Sequence, residues 1–261
     1  MQSRKVGIAL GAGAARGLAH IGVLEVLLEH GIQFDIITGT SMGAVVGGLY
    51  ASGAELSMLK RMAIELNWDD LVRITLPRLG LVSSERIYQI LKILTKNQQF
   101  EDLPFKLAVV AADINNGEEV VIDSGSVADG IRASLSIPGV FVPVEYHGRM
   151  LVDGAIVNRV PGTVARNLGA DFLIEVDVGY PPLRGKASNL ADVIIRTIDI
   201  LDRQSTKYRP KISDITICPD LKDVMPTQLN RAEEIIDAGR EAALMRVDDI
   251  KAKLNQNLMS G

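Results

Sequence analysis

Short apolar runs alternate with amphipathic stretches along the chain. The runs at 6–10, 107–112 and 172–178 consist mainly of hydrophobic residues, which is typical of buried strands. In other stretches, such as 55–67 and 190–207, apolar residues recur at helical spacing. Strands that alternate with helices predict a mostly parallel central sheet covered on both faces, which is a three-layer α/β/α fold.

The same patterns predict the remaining elements. A turn at 115–117 should join the strand before it to a second strand at 119–122 as a hairpin. The stretch 68–81 has a mixed pattern, in which Pro77 and Gly80 mark a loop. The other predicted helices cover 15–30, 44–51, 83–96, 129–135 and one unbroken stretch from 228 to 254, and the other predicted strands cover 34–38, 141–144, 150–152 and 214–218.

Size and composition favour one globular domain. The chain has 261 residues, of which 47% are hydrophobic, enough for one sizeable core. We expect a single domain over 1–261, with its motifs in about 5–180 and C-terminal helices over about 189–254. The net charge of −4 and the scattered Lys and Arg residues do not suggest nucleic-acid binding. Cys218 is the only cysteine, which excludes an intramolecular disulfide, and we expect it to be buried.

The sequence predicts a cytoplasmic protein. No apolar stretch reaches the roughly 18 to 20 residues that cross a bilayer. The first apolar run, 6–10, is too short for a secretory signal. Contact with the inner face of the membrane stays open, because binding to a lipid surface leaves no strong mark in a sequence.

The segment 39–43 reads Gly-Thr-Ser-Met-Gly and lies between a predicted strand and a predicted helix. This is the G-x-S-x-G pattern of a nucleophile elbow, a sharp turn that exposes one hydroxyl, here that of Ser41. Gly39 and Gly43 carry no side chains where strand and helix approach each other. A serine that only caps the helix would give the same pattern, so the motif alone leaves both interpretations open.

A glycine-rich turn, 11–17, follows the first strand and precedes a helix. The glycine spacing is one residue too long for the dinucleotide motif G-x-G-x-x-G, and Asp35, the candidate ribose-binding acid, begins the next strand instead of ending it. A Walker A loop is excluded, because no Gly-Lys-Ser/Thr follows. We expect the backbone amides of this turn to form an oxyanion hole. A nucleotide-binding oxidoreductase remains the alternative.

A serine nucleophile needs a base, and no histidine is well placed to serve. In α/β-hydrolases the catalytic histidine comes last in the chain. Here the histidines are His20, His30 and His147, all in the first 147 residues. We expect His20 to be a packing residue and His30 to end its helix, whereas His147 lies in a predicted turn.

A carboxylate is the better candidate for the base. Asp153 follows a predicted strand and precedes a glycine, so it can stand at the end of the sheet, where ligands bind in open α/β folds. Burial beside Ser41 would raise its pKa from about 3.9 and make it a better base at neutral pH. An aspartate that merely forms a turn after a strand is the plain alternative.

Together these motifs resemble the patatin-like phospholipase family, of the compact bacterial kind akin to the catalytic domain of neuropathy target esterase. The glycine-rich turn with its helix, 11–24, the elbow, 39–43, and Asp-Gly-Ala at 153–155 occur in the family's order. The stretch 132–143 also fits, and the similarity covers roughly 5–180.

The resemblance implies a patatin-like fold and a serine lipid acyl hydrolase of the phospholipase, lysophospholipase or carboxylesterase type. Its substrate would be a lipid or fatty ester, with no cofactor or metal. It implies a dyad of Ser41 as nucleophile and Asp153 as base. It also implies an oxyanion hole from the amides of Gly13 and Ala14, with Arg16 shaping this loop or meeting an anionic headgroup. The supporting glycines are Gly11, Gly17, Gly39, Gly43 and Gly154.

Two further interpretations of the same fold stay open. The dyad would serve an acyltransferase equally well, and a regulatory or adaptor protein could keep the fold with weak catalysis. The family's turn is often an unbroken glycine run, which Ala12 and Ala14 interrupt here, so its backbone angles are in question. By elimination, 54–104 and 180–228 are the expected lid and pocket walls.

Overall fold

The computed structural model describes residues 4–65, 73–74, 80–179, 190–206, 211–221 and 224–256. The strands are β1 (Val6–Leu10), β2 (Ile36–Thr40), β3 (Arg73–Ile74), β4 (Gly80–Ser83), β5 (Lys106–Asp113), β6 (Glu119–Ile122), β7 (Gly139–Phe141), β8 (Val144–Tyr146), β9 (Arg149–Asp153), β10 (Phe172–Val176) and β11 (Ile215–Ile217). The helices are α1 (Ala19–Glu29), α2 (Met42–Ala51), α3 (Leu56–Glu65), α4 (Glu85–Leu94), α5 (Val127–Ser134), α6 (Gly162–Asn167), α7 (Leu190–Thr206), α8 (Ala232–Leu244) and α9 (Val247–Gln256).

An eight-stranded sheet forms the centre of the protein, in the order β11-β10-β1-β2-β5-β9-β8, with β6 also paired to β5. Neighbouring strands from β11 to β5 run parallel. Strands β6 and β9 pair with β5 in the antiparallel sense, and β8 pairs with β9 in the same way. The mostly parallel sheet and the 119–122 hairpin that the sequence predicts are confirmed.

Alternating side chains of the strands supply both faces of the sheet. Ile8 and Leu10 of β1 pack into the larger core, which also contains buried residues of α1, α2, α5 and α8. Ala9, between them, packs on the opposite face with Ala165 of α6. Helices therefore cover both faces, and the three-layer α/β/α prediction is confirmed. In the described part of the chain, no helix is both long and apolar enough to cross a membrane.

Four predictions differ from the structure. Gly80, predicted to mark a loop, begins β4, which forms a small second sheet with β3 and β7; Pro77 lies outside the described ranges. The predicted stretch 141–144 is the end of β7 and the start of β8, with 142–143 between them. The predicted helix 228–254 is two helices that meet at Met245 and Arg246, and this bend keeps Val247 buried in the core. Helix α1 begins later than predicted, because Ala14–Leu18 form a 3₁₀ turn.

Cys218 is exposed, so the expectation of a buried cysteine was wrong. The last strand, β11, ends at Ile217, one residue earlier than predicted. Cys218 therefore follows the strand, where the chain leaves the sheet and its side chain is no longer covered.

Candidate active site

Ser41 occupies the turn between β2 and α2. Its φ of +56° and ψ of −123° are unusual for a residue other than glycine, and such strain costs on the order of 1–3 kcal/mol and tends to occur at functional sites. The turn is possible because Gly43 has no side chain: a Cβ there would lie 2.1 Å from the carbonyl oxygen of Leu10. The chain thus holds Ser41 in a sharp turn at the start of α2.

The Ser41 hydroxyl donates a hydrogen bond of 2.5 Å to Oδ2 of Asp153. Asp153 reaches this position on β9, which runs antiparallel to β5. It stands opposite Ala111, next to Val110, the partner of Thr40. Strands β2 and β9 pair with successive parts of the same edge of β5, because β6 occupies the other edge. Ser41 and Asp153 therefore lie at the same level of the sheet, and an antiparallel strand, which the sequence argument did not foresee, brings the aspartate there.

Asp153 has the environment of a buried carboxylate with few partners. Its residue exposure is 3%. Burial raises its pKa to about 6, although the hydrogen bonds from Ser41 and from the Ala155 amide favour the charged form and oppose this rise. The Ala155 amide donates to Oδ1 over 2.9 Å. At neutral pH the carboxylate is mostly ionised, yet its proton affinity is close to that of a useful general base.

The turn after β1 leaves two backbone amides without a partner. Within the ranges that the structure describes, the amides of Gly13 and Ala14 make no hydrogen bond, although both residues line the same pocket as Ser41. Ala14 adopts a φ of +47°, so alanine takes up a left-handed conformation where the family often has glycine. The neighbouring amides are all occupied, those of Gly11 by Val176, Ala12 by Arg159, Ala15 by Pro226 and Arg16 by Gly13.

His20 contacts the backbone of the glycine-rich turn. His20 was interpreted from the sequence as a packing residue, and this contact was not predicted. Its Nε2 lies 2.7 Å from the carbonyl oxygen of Gly11. A carbonyl only accepts, so Nε2 carries the proton. Complete burial lowers the pKa of His20 to about 4, which leaves the ring neutral at pH 7. The buried ring thereby positions the backbone of the turn.

The other two histidines lie away from the dyad. Nδ1 of His30 lies 2.8 Å from the Val26 carbonyl at the end of α1, as expected of a residue that ends a helix. His147 is exposed in the turn before β9, at the opposite end of this strand from Asp153. Neither of them, nor His20, hydrogen-bonds to Ser41 or Asp153 among the contacts of the described residues.

The C-terminal end of α5 braces both members of the dyad. The Ser41 amide donates to Oγ of Ser134 over 2.9 Å, and this hydroxyl in turn donates to the carbonyl of Val110 over 2.6 Å. The Asp153 amide donates to the carbonyl of Ser136 over 2.8 Å. The stretch 132–143 carried part of the family resemblance, but the motifs assigned no role to Ser134 or Ser136.

Two buried arginines line the pocket of Ser41. Nη2 of Arg16, which is 1% exposed, pairs with Asp199 of α7 at 3.3 Å, and its Nε donates to the carbonyl of Gly13 over 3.4 Å. Arg16 therefore contacts the loop that the resemblance expects it to shape. Arg159, which the sequence did not single out, pairs with Asp177 at 2.5 Å. Burial raises the pKa of Asp177, but the Arg159 guanidinium, the Gly179 amide and the charge of Arg16 together outweigh this, so the pKa is lowered.

Two pockets are lined by residues of the turn at 41–42. The first has an empty volume of about 440 Å³, contains Ser41 and Asp153, and is closed on one side by Ile195, Ile198 and Asp199 of α7. The second, of about 630 Å³, lies among α1, α2, α3 and α4 and has an entirely hydrophobic lining. Its lining residues are Leu18, Ile21, Met42, Val45, Val46, Leu49, Leu59, Met62, Ala63, Ile87, Ile90, Leu91 and Leu94. Both expected wall regions, 54–104 and 180–228, thus contribute residues.

The nucleotide interpretation does not fit this geometry. Asp35 precedes β2, and its carboxylate accepts a hydrogen bond from the Val6 amide at the start of β1. It therefore lies at the edge of the sheet opposite the glycine-rich turn, where it cannot reach a ribose bound there. Among the described residues, no group of His, Cys, Asp and Glu side chains could hold a metal ion.

The geometry is that of an α/β/α protein with a serine at a strand–helix elbow, and comparison with known proteins identifies its family. The family model described as patatin-like phospholipase matches residues 8–166. The chain belongs to the patatin-like phospholipase family.

Relatives of the chain are named for the same family. It is 37% identical to an uncharacterized NTE family protein of Mycobacterium tuberculosis over 67% of this chain and 49% of the relative. It is 32% identical to lysophospholipase NTE1 of Debaryomyces hansenii over 69% of this chain and 12% of that protein. The chain thus spans about half the length of the first of these relatives and much less of the second. The crystal structure of VipD from Legionella pneumophila is similar in fold, with a TM-score of 0.54 and 12% identity over 95% of this chain and 67% of that one.

Proposed function

We propose that the protein is a serine lipid acyl hydrolase in which Ser41 is the nucleophile and Asp153 the base. One observation carries the proposal: the Ser41 hydroxyl is hydrogen-bonded to a buried carboxylate and faces a pocket lined by two residues with unoccupied backbone amides. A nucleophile needs a base within hydrogen-bond reach and donors for the developing oxyanion. Membership of the patatin-like phospholipase family supports an ester of a lipid as the substrate.

In the first half of the proposed reaction, Ser41 attacks the ester. Asp153 accepts the hydroxyl proton as Oγ bonds to the carbonyl carbon. The electron pair of the carbonyl π bond moves to oxygen, and the amides of Gly13 and Ala14 bind the resulting oxyanion. The tetrahedral intermediate then collapses, the alcohol leaves with the proton from Asp153, and the acyl group remains on Ser41.

In the second half, water releases the acyl group. The ionised Asp153 accepts a proton from water as its oxygen attacks the acyl carbonyl, and the same two amides bind the new oxyanion. Collapse breaks the bond to Oγ of Ser41, which recovers the proton from Asp153. The products are the fatty acid and the regenerated enzyme.

The hydrophobic cavity among α1 to α4 is the proposed site for the acyl chain. Met42, which directly follows the nucleophile, belongs to its lining, and Leu49 lies two turns further along the same helix. At about 1.5 Å per residue, these positions are separated by about 10 Å along α2. Burial of several methylene groups there would favour long-chain over short-chain esters by about 0.8 kcal/mol per CH₂. Because such esters lie in membranes, the proposed function requires contact with a membrane surface, which a protein at the inner face of the membrane would have.

Turnover of defined lipids tests the proposal. Purified protein and the Ser41→Ala variant are incubated with phosphatidylcholine and lysophosphatidylcholine, and with nitrophenyl esters of butyrate and of decanoate, and products are measured by mass spectrometry. We expect the unaltered protein to release free fatty acid, with a preference for the longer nitrophenyl ester, and Ser41→Ala to release none. Transfer of the acyl group to an added alcohol in preference to water would indicate an acyltransferase. Equal, negligible turnover by both proteins on every ester would contradict the proposal.

A further inference from the structure

Helix α7 exposes its apolar side to solvent. Six exposed residues recur at spacings of three and four along the helix and share one face, at 190, 193, 197, 200, 201 and 204. Four of them are large hydrophobic residues, with exposures of 57% for Leu190, 49% for Val193, 44% for Ile200 and 65% for Leu201. The two others are Thr197 and Gln204. This face therefore carries no charge.

Four charged side chains of α7, among those whose burial the structure describes, are covered instead. Asp199 and Asp202 are buried, and Arg196 and Arg203 are partly buried. Asp199 points into the protein and pairs with Arg16 of the glycine-rich turn. Ile195 and Ile198 make the inward side apolar as well, but a surface helix of a water-soluble protein normally carries polar and charged residues, not a second apolar face, on its outer side. The sequence of α7 is therefore suited to an outer surface that is not water.

The apolar outer face lies directly over the Ser41 pocket. Ile195, Ile198 and Asp199, from the covered side of α7, line that pocket together with Ser41. The four exposed hydrophobic residues, which we call the α7 outer face, therefore lie on the outer side of a helix whose inner side lines the site.

We infer that the α7 outer face is the surface by which the protein docks on a lipid bilayer, so that a lipid can pass from the bilayer to Ser41. The inference rests on the proposed lipid hydrolysis. Aliphatic side chains on one face of a helix bind to the boundary between headgroups and acyl chains in proportion to the apolar area that they bury. The absence of charge on the face suits this environment, where an exposed charge would be costly.

A second copy of the chain is a weaker candidate for the partner. Four half-exposed aliphatic side chains on one helix offer on the order of a few hundred Å². Stable interfaces between proteins bury about 800 Å² on each partner. A bilayer has no such minimum area, and binding through a small face is reversible, as an enzyme that exchanges substrate and product requires.

Vesicle flotation tests the inference with a matched pair of variants. Val193→Ser/Leu201→Ser alters the α7 outer face, whereas Leu244→Ser/Met245→Ser alters two similarly exposed hydrophobic residues at the end of α8. With phosphatidylcholine vesicles, we expect the unaltered protein, the α8 variant and Ser41→Ala to float with the vesicles. The α7 variant should bind them at least about tenfold more weakly.

A soluble ester separates docking from catalysis. On nitrophenyl butyrate without vesicles, the α7 variant should be as active as the unaltered protein, and it should have lost activity only on vesicle lipid. Flotation of the α7 variant equal to that of the unaltered protein, or no flotation of the unaltered protein, would overturn the inference. A dimer seen by light scattering that the α7 substitutions dissociate, without flotation, would assign the face to a second copy instead. If the protein floats but hydrolyses no ester, docking stands and the proposed function fails.

Discussion

Oγ of Ser41 and Oδ2 of Asp153 lie 2.5 Å apart although the two residues are 112 positions apart in the chain. Ser41 is held by the strained turn after β2, and Asp153 by the end of the antiparallel strand β9. The pairing places a carboxylate that is costly to ionise beside a hydroxyl that needs a base.

Replacement of the aspartate should make the protein more stable and less active. Burial raises the pKa of Asp153 from 3.8 to about 6, so between these values the folded protein binds a proton that the unfolded chain does not. The cost of ionising Asp153 in the folded state is therefore fully present above pH 6 and disappears as the pH falls toward 3.8. At 1.36 kcal/mol per pKa unit, Asp153→Asn should raise the free energy of unfolding at pH 8 by up to about 3 kcal/mol.

Urea unfolding at pH 8 and at pH 4 measures this effect, and the gain should shrink at pH 4. Turnover of nitrophenyl decanoate should fall about 10²- to 10⁴-fold in Asp153→Asn, because general-base catalysis typically contributes a factor in this range. If Asp153→Asn were as stable as the unaltered protein at both pH values, ionisation of Asp153 would not destabilise the folded state. Full activity would remove Asp153 from the mechanism.

The pH dependence of kcat/KM should show an acid limb with a midpoint at about 6, the pKa of Asp153. Below this pH the base is protonated and activity is lost. The limb lies close to the ordinary pKa of histidine, about 6.5, so its position alone does not separate the two bases. The His30→Ala and His147→Ala variants separate a histidine base from Asp153, because neither histidine contacts the dyad. Both variants should keep the limb, and its disappearance in His147→Ala would contradict a Ser-Asp dyad.

Ser134 should be required for the geometry of the elbow. Ser134→Ala leaves the buried Ser41 amide and the Val110 carbonyl without their partner. An unsatisfied buried polar group costs about 1–3 kcal/mol, and a displacement of the nucleophile lowers kcat more than it changes KM. Ser136→Ala is the matched control, since that hydroxyl donates to the Arg132 carbonyl and not to the dyad. Thermal unfolding and steady-state kinetics of both variants check this, and an equal loss of kcat in the two would count against the bracing role.

Substitutions at Gly13 and Val178, where a side chain added to the glycine would clash, test the oxyanion hole. A Cβ on Gly13 would lie 2.3 Å from Cγ2 of Val178, so Gly13→Ala should displace the Gly13 amide. The loss of one oxyanion donor typically lowers kcat by about 10²- to 10³-fold. Val178→Ala removes the clashing methyl group and alone should change kcat little. In the double variant we expect most of the activity to return, and a double variant as inactive as Gly13→Ala would show that the steric account is wrong.

The sequence predicted the elements and motifs that depend on local patterns. The parallel sheet and the hairpin follow from hydrophobic periodicity and turn residues. The buried hydrogen bonds around the motifs were not predictable in this way, because Ser134 and Arg159 look like ordinary surface-compatible residues and their partners lie far along the chain. His20 was interpreted as a packing residue for the same reason, since only the fold brings the Gly11 carbonyl to its ring.

For α7 the sequence predicted the helix but not which of its faces is exposed. The helical period of Leu190–Thr206 was readable, and a long helix over 190–207 was predicted. Periodicity alone, however, does not say which face turns inward, because Ile195 and Ile198 on one side are as apolar as Leu190 and Leu201 on the other. The inward face carries Asp199, which pairs with buried Arg16, and these two residues lie far apart in the sequence.

Covalent labelling with a fluorophosphonate probe, followed by mass spectrometry of the labelled peptide, tests the central claim most directly. The probe reacts with a serine that a working site activates, whatever the natural substrate. We predict one label, on Ser41, absent in Ser41→Ala and at least about 10²-fold slower in Asp153→Asn. A label on another serine, or labelling of Ser41 at an unchanged rate in Asp153→Asn, would contradict a nucleophile activated by Asp153.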